Sequence, residues 1–518
     1  YRVYVKTRLP AVNYDIIVDA AREAVVEIAS IIRRSLVTRY LHDAMAIVGR
    51  FDIYRATLKD FEADEEEMKA WIADIAAYLT VNQILFYHIL SQKTGKYPPL
   101  PDVRPLEPDR DLMDKLNRLF SLAAQDYRPV FGPNLLPIIK EAGELNSILA
   151  LGKFIVTLKA LRPEYVKAEL LGRLYQESIP PETRKNLGAF FTKPKAAAIL
   201  ARLAIDRWDE RVLDPACGSG TLLTEAYRYK RELAPPTLGE EELHRRLLSD
   251  IYGIDVMCFA HHMTSINLLA QNITIPAELE HIRAGDGLEP MIRSTLSEAD
   301  DPPSLLPTGL RDWIESVRPE SLPYEGFDVV IMNPPFTRRE RLSEIGELDR
   351  LDKLFSGAFE GEVVRGKVGY WAYFMAAADK MIKPKGKLAM VTPEEFFAGG
   401  GAESLRRYLF LGQTYSTRKR QYTTKEDACK YSIEYVIRSG VEVAFSEAAL
   451  YRDYLVVFRK MESKNPMILI ILKKPLNEID IEEITSEIKN FSTSLLDKIS
   501  TGNFEAIKVK NVSSFIEK

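Results

Sequence analysis

Cysteine is scarce in this 518-residue chain: Cys217, Cys258 and Cys429 are all it has, far apart and with no C-x-x-C spacing. A disulfide framework is not the source of its stability, and with no His pair near any of the three, no zinc or other metal site is expected. Such cysteine usage fits a reducing compartment, so a cytoplasmic location is expected. Long apolar runs are missing as well. Nothing approaches the ~20 consecutive apolar residues that cross a bilayer, and no membrane role is expected. Net charge is small, −4 at pH 7, so composition gives no sign of a polyanionic partner and any case for nucleic acid has to come from local chemistry. There is no G-x-x-x-x-G-K-[ST] loop and no grouping of carboxylates with Lys of the kind that cleaves phosphodiesters. Neither translocation nor cleavage is therefore expected of these residues.

What is present is a long chain, 46% hydrophobic and 28% charged, enough for roughly three units of structure. Tyr1 is not an initiator Met and Arg2-Val3-Tyr4-Val5 reads as strand, so the chain is expected to start inside a larger polypeptide. Residues 14 to about 175 carry apolar positions at helical spacing, as in Glu65 to Ala76 and Gln83 to Leu90, with further helix over 112–122 and 143–161. Pro180-Pro181 marks a change of character. The expected division is a helical N-terminal domain over 1–180, a second domain over 181–462, and a C-terminal connector over 463–518.

The second domain alternates short β-branched runs with helices. Strands are expected at Arg211-Val212-Leu213, Ile251 to Ile254, Phe327 to Met332 and Lys387 to Val391, with helices over 196–206, 221–233, 259–271 and 370–381. This pattern predicts an α/β fold with a doubly wound, mainly parallel sheet, in which ligands sit at the carboxyl ends of the strands. The informative residues fall at such ends.

Asp214-Pro215-Ala216-Cys217-Gly218-Ser219-Gly220-Thr221 follows a strand and opens a helix, with Gly218 and Gly220 clearing the backbone for a ligand. Asp255 and Asp286 end the next two strands, where carboxylates can hold ribose hydroxyls or a base amine, although each alone could be a helix-capping Asp. Gly188-Ala189-Phe190-Phe191-Thr192-Lys193-Pro194 lies upstream and could by itself be a capping turn. Asn333-Pro334-Pro335-Phe336 follows the most apolar strand.

Together these residues resemble the class I methyltransferases, and within them the N6-adenine DNA methyltransferases of type I and IIG restriction-modification systems, with cofactor motifs ahead of the catalytic one. The resemblance covers roughly residues 80 to 460. It implies a Rossmann-like domain binding S-adenosyl-L-methionine, with Phe191 and Thr192 lining the methionine pocket. Asp214 and Gly218 would meet the amino-acid end, Asp255 the ribose and Asp286 the adenine, with Ala216 and Gly220 also binding the cofactor. It also implies double-stranded DNA with a flipped adenine as partner, a place in restriction-modification or phage defence, and a specificity subunit or fused target-recognition domain.

The chemistry of Asn-Pro-Pro-Phe can be read from the residues. The adenine amine is a poor nucleophile because its lone pair is delocalised into the ring. A carboxamide oxygen on Asn333 and the adjacent carbonyl of Pro334, accepting the two amine hydrogens, draw the nitrogen towards tetrahedral geometry. Pro334 and Pro335 stiffen the loop, which preorganises both acceptors. Phe336 offers an aromatic face to an extruded base. A late motif, Val443 to Leu450, resembles the family segment whose leading aromatic stacks on the other face of that base. Phe445 either takes that role or is a core residue ahead of a strand.

Arg338, Arg339 and Arg341, together with Arg418-Lys419-Arg420, are the local candidates for phosphate contacts, though short basic clusters are more often plain solvated charge. Two other functions use the same motifs: a methyltransferase acting on RNA or on a protein glutamine amide, and a catalytically silent DNA-binding or assembly subunit.

Overall fold

A computed structural model describes residues 14–35, 65–104, 107–166, 177, 192–292, 322, 326–344, 346–424, 430–446, 452–463 and 465–510. The expected strand at Arg2 to Val5 and the change of character at Pro180-Pro181 lie outside the described residues. Among the described residues no helix is long and apolar enough to cross a membrane.

The helical region contains α1 (Tyr14–Ser35), α2 (Glu65–Thr94), α3 (Leu112–Ala123) and α4 (Leu136–Leu161). The two helical stretches expected over 65–76 and 83–90 are one continuous helix. From Ile72 to Leu90 α2 is buried on all sides, which a helix apolar around its whole circumference achieves only as the centre of a bundle. This block does not stand apart. Tyr127 Oη donates to the Ile273 carbonyl at 2.8 Å, and Tyr78 packs edge-on against Phe259 with ring centroids 5.2 Å apart.

Beyond it come α5 (Pro194–Ala204), β1 (Val212–Asp214), α6 (Thr221–Leu233), α7 (Glu240–Ser249), β2 (Ile251–Asp255), α8 (Cys258–Leu269), β3 (Ile282–Ala284) and β4 (Phe327–Met332). These are followed by α9 (Glu347–Ala358), α10 (Trp371–Met381), β5 (Ile382–Pro393), α11 (Glu403–Leu411), β6 (Gln413–Ser416), β7 (Gln421–Thr424), β8 (Ser432–Ser439) and β9 (Asp453–Arg459). The last described elements are β10 (Met467–Leu472), α12 (Ile481–Thr493), β11 (Lys498–Ser500) and β12 (Phe504–Val509).

Among the described residues ten strands form one sheet in the order β11-β12-β10-β8-β9-β5-β4-β1-β2-β3. From β3 to β5 every pairing is parallel, while β9 runs antiparallel to both its neighbours. Side chains alternate between the two faces. Val329 and Ile331 of β4, Ala389 and Val391 of β5, and Leu455 and Val457 of β9 enter the core shared with the N-terminal helices. Val330 and Met332, Leu388 and Met390, and Val456 and Phe458 enter a second core beneath α9, α10 and α11. A sheet covered on both faces needs such unbroken apolar strands, so the doubly wound α/β expectation is met.

The stretch from 463 onward, read from sequence as a connector, carries strands of this same sheet. β10 pairs parallel with β8 and antiparallel with β12. Ile468, Ile470 and Leu472 point into the core, and Ile484, Ile488 and Phe491 of α12 cover them.

Candidate active site

The chain leaves β1 outward to β2 and β3, then returns to place β4 on the other side of β1. Reversal of strand order at that point opens a crevice at the carboxyl ends of β1 and β4. Register brings the two halves of the site together. Leu213 pairs with Val330, so Asp214 sits beside Ile331 on strands about 4.8 Å apart, and the two strands then leave the sheet in neighbouring loops.

The Gly-rich turn is shaped by its neighbours. Gly218 and Gly220 take φ of 53° and 76°, a left-handed conformation that other residues rarely adopt. A Cβ on Gly220 would lie 2.8 Å from Thr264, whereas one on Gly218 would meet nothing within 4 Å, so the Gly218 backbone faces open space. Thr264 Oγ1 donates to the Gly218 carbonyl at 3.0 Å and Asn267 Nδ2 to that of Ser219 at 2.7 Å, which pins the turn onto α8. Ala216 N–H donates to Asp214 Oδ1 at 3.0 Å.

Asp255 ends β2 and braces the turn from the side. Its Oδ2 accepts from Gly218 N–H at 2.9 Å and its Oδ1 from Met257 N–H at 3.0 Å. Burial pushes this carboxyl up to about 6 against the opposing pull of those two N–H groups. Asp214 is pushed well above the usual carboxylate range, by burial first and by the neighbouring Asp255 charge in addition, with the Ala216 N–H acting the other way. Two carboxyls raised by burial, Asp214 further by the Asp255 charge, beside open backbone suit a ligand that brings positive charge and hydroxyl donors. A cationic, ribose-bearing molecule meets both requirements.

Asp286 closes the third side. Its Oδ1 accepts from Leu288 N–H at 2.9 Å, and Arg350 Nη1 of α9 reaches its Oδ2 at 2.6 Å. Arg350 also grips buried Glu347, whose Oε1 accepts from Tyr370 Oη at 3.0 Å. Gly287 beside it fits flush against the Gly-rich turn, since a Cβ there would lie 1.9 Å from the Pro215 carbonyl oxygen. Asp286 is thus a carboxylate already committed to a cation.

Asn333 follows β4, with Pro334 buried and Pro335 and Phe336 partly buried beside it. Asn333 Nδ2 donates to Thr192 Oγ1 at 3.1 Å and to Ser446 Oγ at 3.2 Å, which orients the carboxamide oxygen away from those hydroxyls. Thr192 and Ser446 are themselves partners in an isolated antiparallel bridge. That bridge is anchored by Lys193 N–H donating to the Phe445 carbonyl at 2.9 Å, and by Asp453, buried at the start of β9, accepting from Phe445 N–H at 2.6 Å and Ser446 N–H at 3.1 Å. The next loop residue, Thr337, accepts from Tyr370 N–H at 2.8 Å.

Most of the residues singled out from sequence gather here: Thr192, Asp214, Ala216, Gly218, Gly220, Asp255, Asp286 and Asn333 to Phe336. Phe191 lies outside the described residues. Phe445 goes elsewhere. It is fully buried in the core and has no surface for a base to stack on, because along an extended bridge neighbouring side chains point to opposite faces and here Ser446 takes the face towards Asn333. Of the basic residues after the loop, Arg339 is held by Tyr373 Oη at 3.0 Å and Arg341 pairs with Glu344 at 3.1 Å. Ser446, Asp453, Glu347 and Arg350 join the site without any signal in residue type or spacing; Ser446 lies within the Val443 to Leu450 motif, beside its aromatic.

Residues 167–415 match the family model described as N-6 DNA Methylase. Over 240 residues the chain is 24% identical to the methylase subunit of the type I restriction enzyme EcoEI of Escherichia coli, covering 45% of this chain and 39% of that protein. It is 25% identical over 236 residues to the type II methyltransferase M.BanIII of Aneurinibacillus aneurinilyticus, covering 44% and 34% respectively. The chain therefore spans under half the length of the curated relatives it matches. In fold it is similar to the type IIG restriction endonuclease BpuSI, with a TM-score of 0.50 at 16% identity over 92% of this chain and 46% of that one.

Proposed function

Because residues 167–415 match the family model described as N-6 DNA Methylase, we propose that the chain transfers a methyl group from S-adenosyl-L-methionine to N6 of an adenine flipped out of double-stranded DNA. It does so in the cytoplasm as the modification activity of a restriction-modification or related phage-defence system. A specificity subunit or a fused target-recognition domain supplies the DNA sequence to be read. The observation that carries this reading is the Asn333 carboxamide, oriented by Thr192 and Ser446 at the switch point next to the Gly218 turn.

S-adenosyl-L-methionine, when bound, supplies an electrophilic methyl group on a sulfonium. Asp255 holds its ribose, Asp214 with Ala216, Gly218 and Gly220 its amino-acid end, and Asp286 its adenine. The two carboxylates Asp214 and Asp255 favour its positive charge. Asn333 Oδ1 and the Pro334 carbonyl accept the two hydrogens of the substrate amine, which localises its lone pair. The diproline keeps those acceptors in place before substrate arrives, so little reorganisation is needed. No side chain has to remove a proton first, since the amine becomes acidic once alkylated. Phe336 stacks on the extruded base, a contact worth about 1–3 kcal/mol.

The test is the modified-base content of DNA from cells with the full gene, without it, and with Asn333→Ala. N6-methyladenine is expected in the first only, with cofactor binding kept in the variant. Methylated RNA or protein with unmodified DNA would favour the alternative substrates, and an active Asn333→Ala would remove the catalytic assignment.

A further inference from the structure

Among the described residues two strands stand outside the central sheet. β6 and β7 pair antiparallel from Gln413↔Thr424 to Ser416↔Gln421, leaving Thr417, Arg418, Lys419 and Arg420 as the tip. All four tip residues are exposed. The turn is ordered: Lys419 N–H donates to Ser416 Oγ at 3.2 Å, and Arg420 adopts a φ of 53° to close it.

The direction of this arm follows from its contacts. α11 begins after Gly401, whose backbone abuts the Lys367 carbonyl in the segment leading to Tyr370 and the Asn333 loop. It ends far from there, where Tyr408 and Tyr431 meet Asp379 near the end of α10. The base of the arm, Gln413, is at that far end, bonded by Arg407 at 3.1 Å. Halfway up, Tyr422 Oη shares a 2.8 Å hydrogen bond with Ser404 Oγ in the first turn of α11. The hairpin thus folds back along α11, and its tip points towards the edge of the sheet that carries Asn333.

The arm is stiff. Tyr415 forms a backbone bridge with Glu362 at 2.9 and 3.1 Å. Arg365 covers the Tyr415 ring at 3.7 Å and Arg407 the Tyr422 ring at 4.7 Å, while the two rings meet edge-on. Cations lower in the arm therefore serve its structure. Arg418, Lys419 and Arg420 have no ion-pair partner among the described residues, in contrast to Arg341, which pairs with Glu344. Three adjacent like charges raised on a rigid support repel one another until a polyanion neutralises them.

We propose that the Arg418-Lys419-Arg420 tip, held towards the catalytic edge by the Tyr415–Tyr422 arm, grips the phosphate backbone of the duplex beside the extruded base. The inference rests on the reading of this site as one that acts on DNA. The test compares the full protein with Arg418→Ala/Lys419→Ala/Arg420→Ala and with Arg418→Lys/Arg420→Lys, titrating duplex DNA across a salt series. The alanine variant is expected to bind about tenfold or more weakly and to lose about 0.9 from the slope of log K against log salt for each phosphate contact removed. KM for DNA should rise, with kcat at saturating DNA, cofactor affinity and melting temperature unchanged. The lysine variant should keep the slope. An unaltered slope in the alanine variant overturns the proposal, as does a lysine variant that fails equally. If wild type binds duplex but methylates no adenine, the catalytic reading falls and the slope still decides the role of the tip. If wild type binds no duplex at all, both fall.

Discussion

Thr192 and Ser446 face each other across a lone antiparallel bridge, and both hydroxyls accept from one nitrogen, Asn333 Nδ2, at 3.1 and 3.2 Å. Segments far apart in the chain thereby share the task of orienting one carboxamide. An amide can rotate by half a turn and exchange its donor and acceptor ends. Here both hydroxyls lie against the nitrogen end, which leaves the oxygen end turned away from them and open to the role proposed for it.

Thr192→Val with Ser446→Ala should therefore lower kcat by about 10- to 100-fold, the effect of two lost hydrogen bonds worth about 1 kcal/mol or more each. Equilibrium binding of the cofactor should stay within twofold, since neither side chain supports the Gly-rich turn. Single-turnover methylation and calorimetry measure the two quantities. A fall in cofactor affinity as large as the fall in kcat would assign these hydroxyls to the cofactor pocket instead.

Asp255 makes the site sensitive to pH. Its carboxyl is pushed up to about 6 by burial, so it is mostly protonated at pH 5 and ionised at pH 7. A pKa raised on folding contributes stability that is present below the unfolded value near 4 and is lost as pH rises through about 6. Ligand binding has the opposite sign, because a cationic ligand favours the ionised form. Cofactor affinity should weaken about tenfold between pH 7 and pH 5, and the dependence should shrink in Asp255→Asn. A flat wild-type titration would mean that the cofactor does not engage this carboxylate.

How much of this was legible beforehand depended on the range of the interactions. β4 was readable because Phe327 to Met332 is apolar on both faces, a local property, and Asn333 and the Gly218 turn announce themselves by residue type at a strand end. The choice between Phe445 and Ser446 as the residue facing the site was not readable. It is set by the bridge to Thr192, a pairing between distant segments, and a shift of one residue would have reversed it. The same holds for Met467 to Leu472, whose place beside β8 is a matter of long-range pairing, and for Arg350, which meets Asp286 only once α9 has docked.

Arg350 should be structural before it is functional. It carries the charge balance of buried Glu347 and of Asp286, which it contacts at 2.5 and 2.6 Å. Arg350→Met should destabilise the fold by about 3 kcal/mol, the cost of leaving a buried carboxylate without its cation. Adding Glu347→Gln should recover part of that loss. Urea denaturation of the two variants measures it. Equal stability of wild type and Arg350→Met would show that the carboxylates are balanced by other groups.

The flush fit of Gly287 against Pro215 supplies a sharper probe of the crevice. An alanine Cβ would sit 1.9 Å from the Pro215 carbonyl oxygen, so one backbone must retreat by about 1 Å. Retreat separates the Asp286 turn from the Gly218 turn, the two walls assigned to the adenine and the amino-acid end of the cofactor. Gly287→Ala should cost about 1–3 kcal/mol of stability and at least tenfold in cofactor affinity. Gly357→Ala is the control. It lies in α9 with nothing within 4 Å of an added Cβ, and alanine there should be neutral or stabilising through its better helix propensity. Differential scanning fluorimetry with and without ligand compares them directly. If Gly287→Ala loses stability but binds the cofactor as wild type does, the Asp286 turn is a packing element rather than a wall of the pocket.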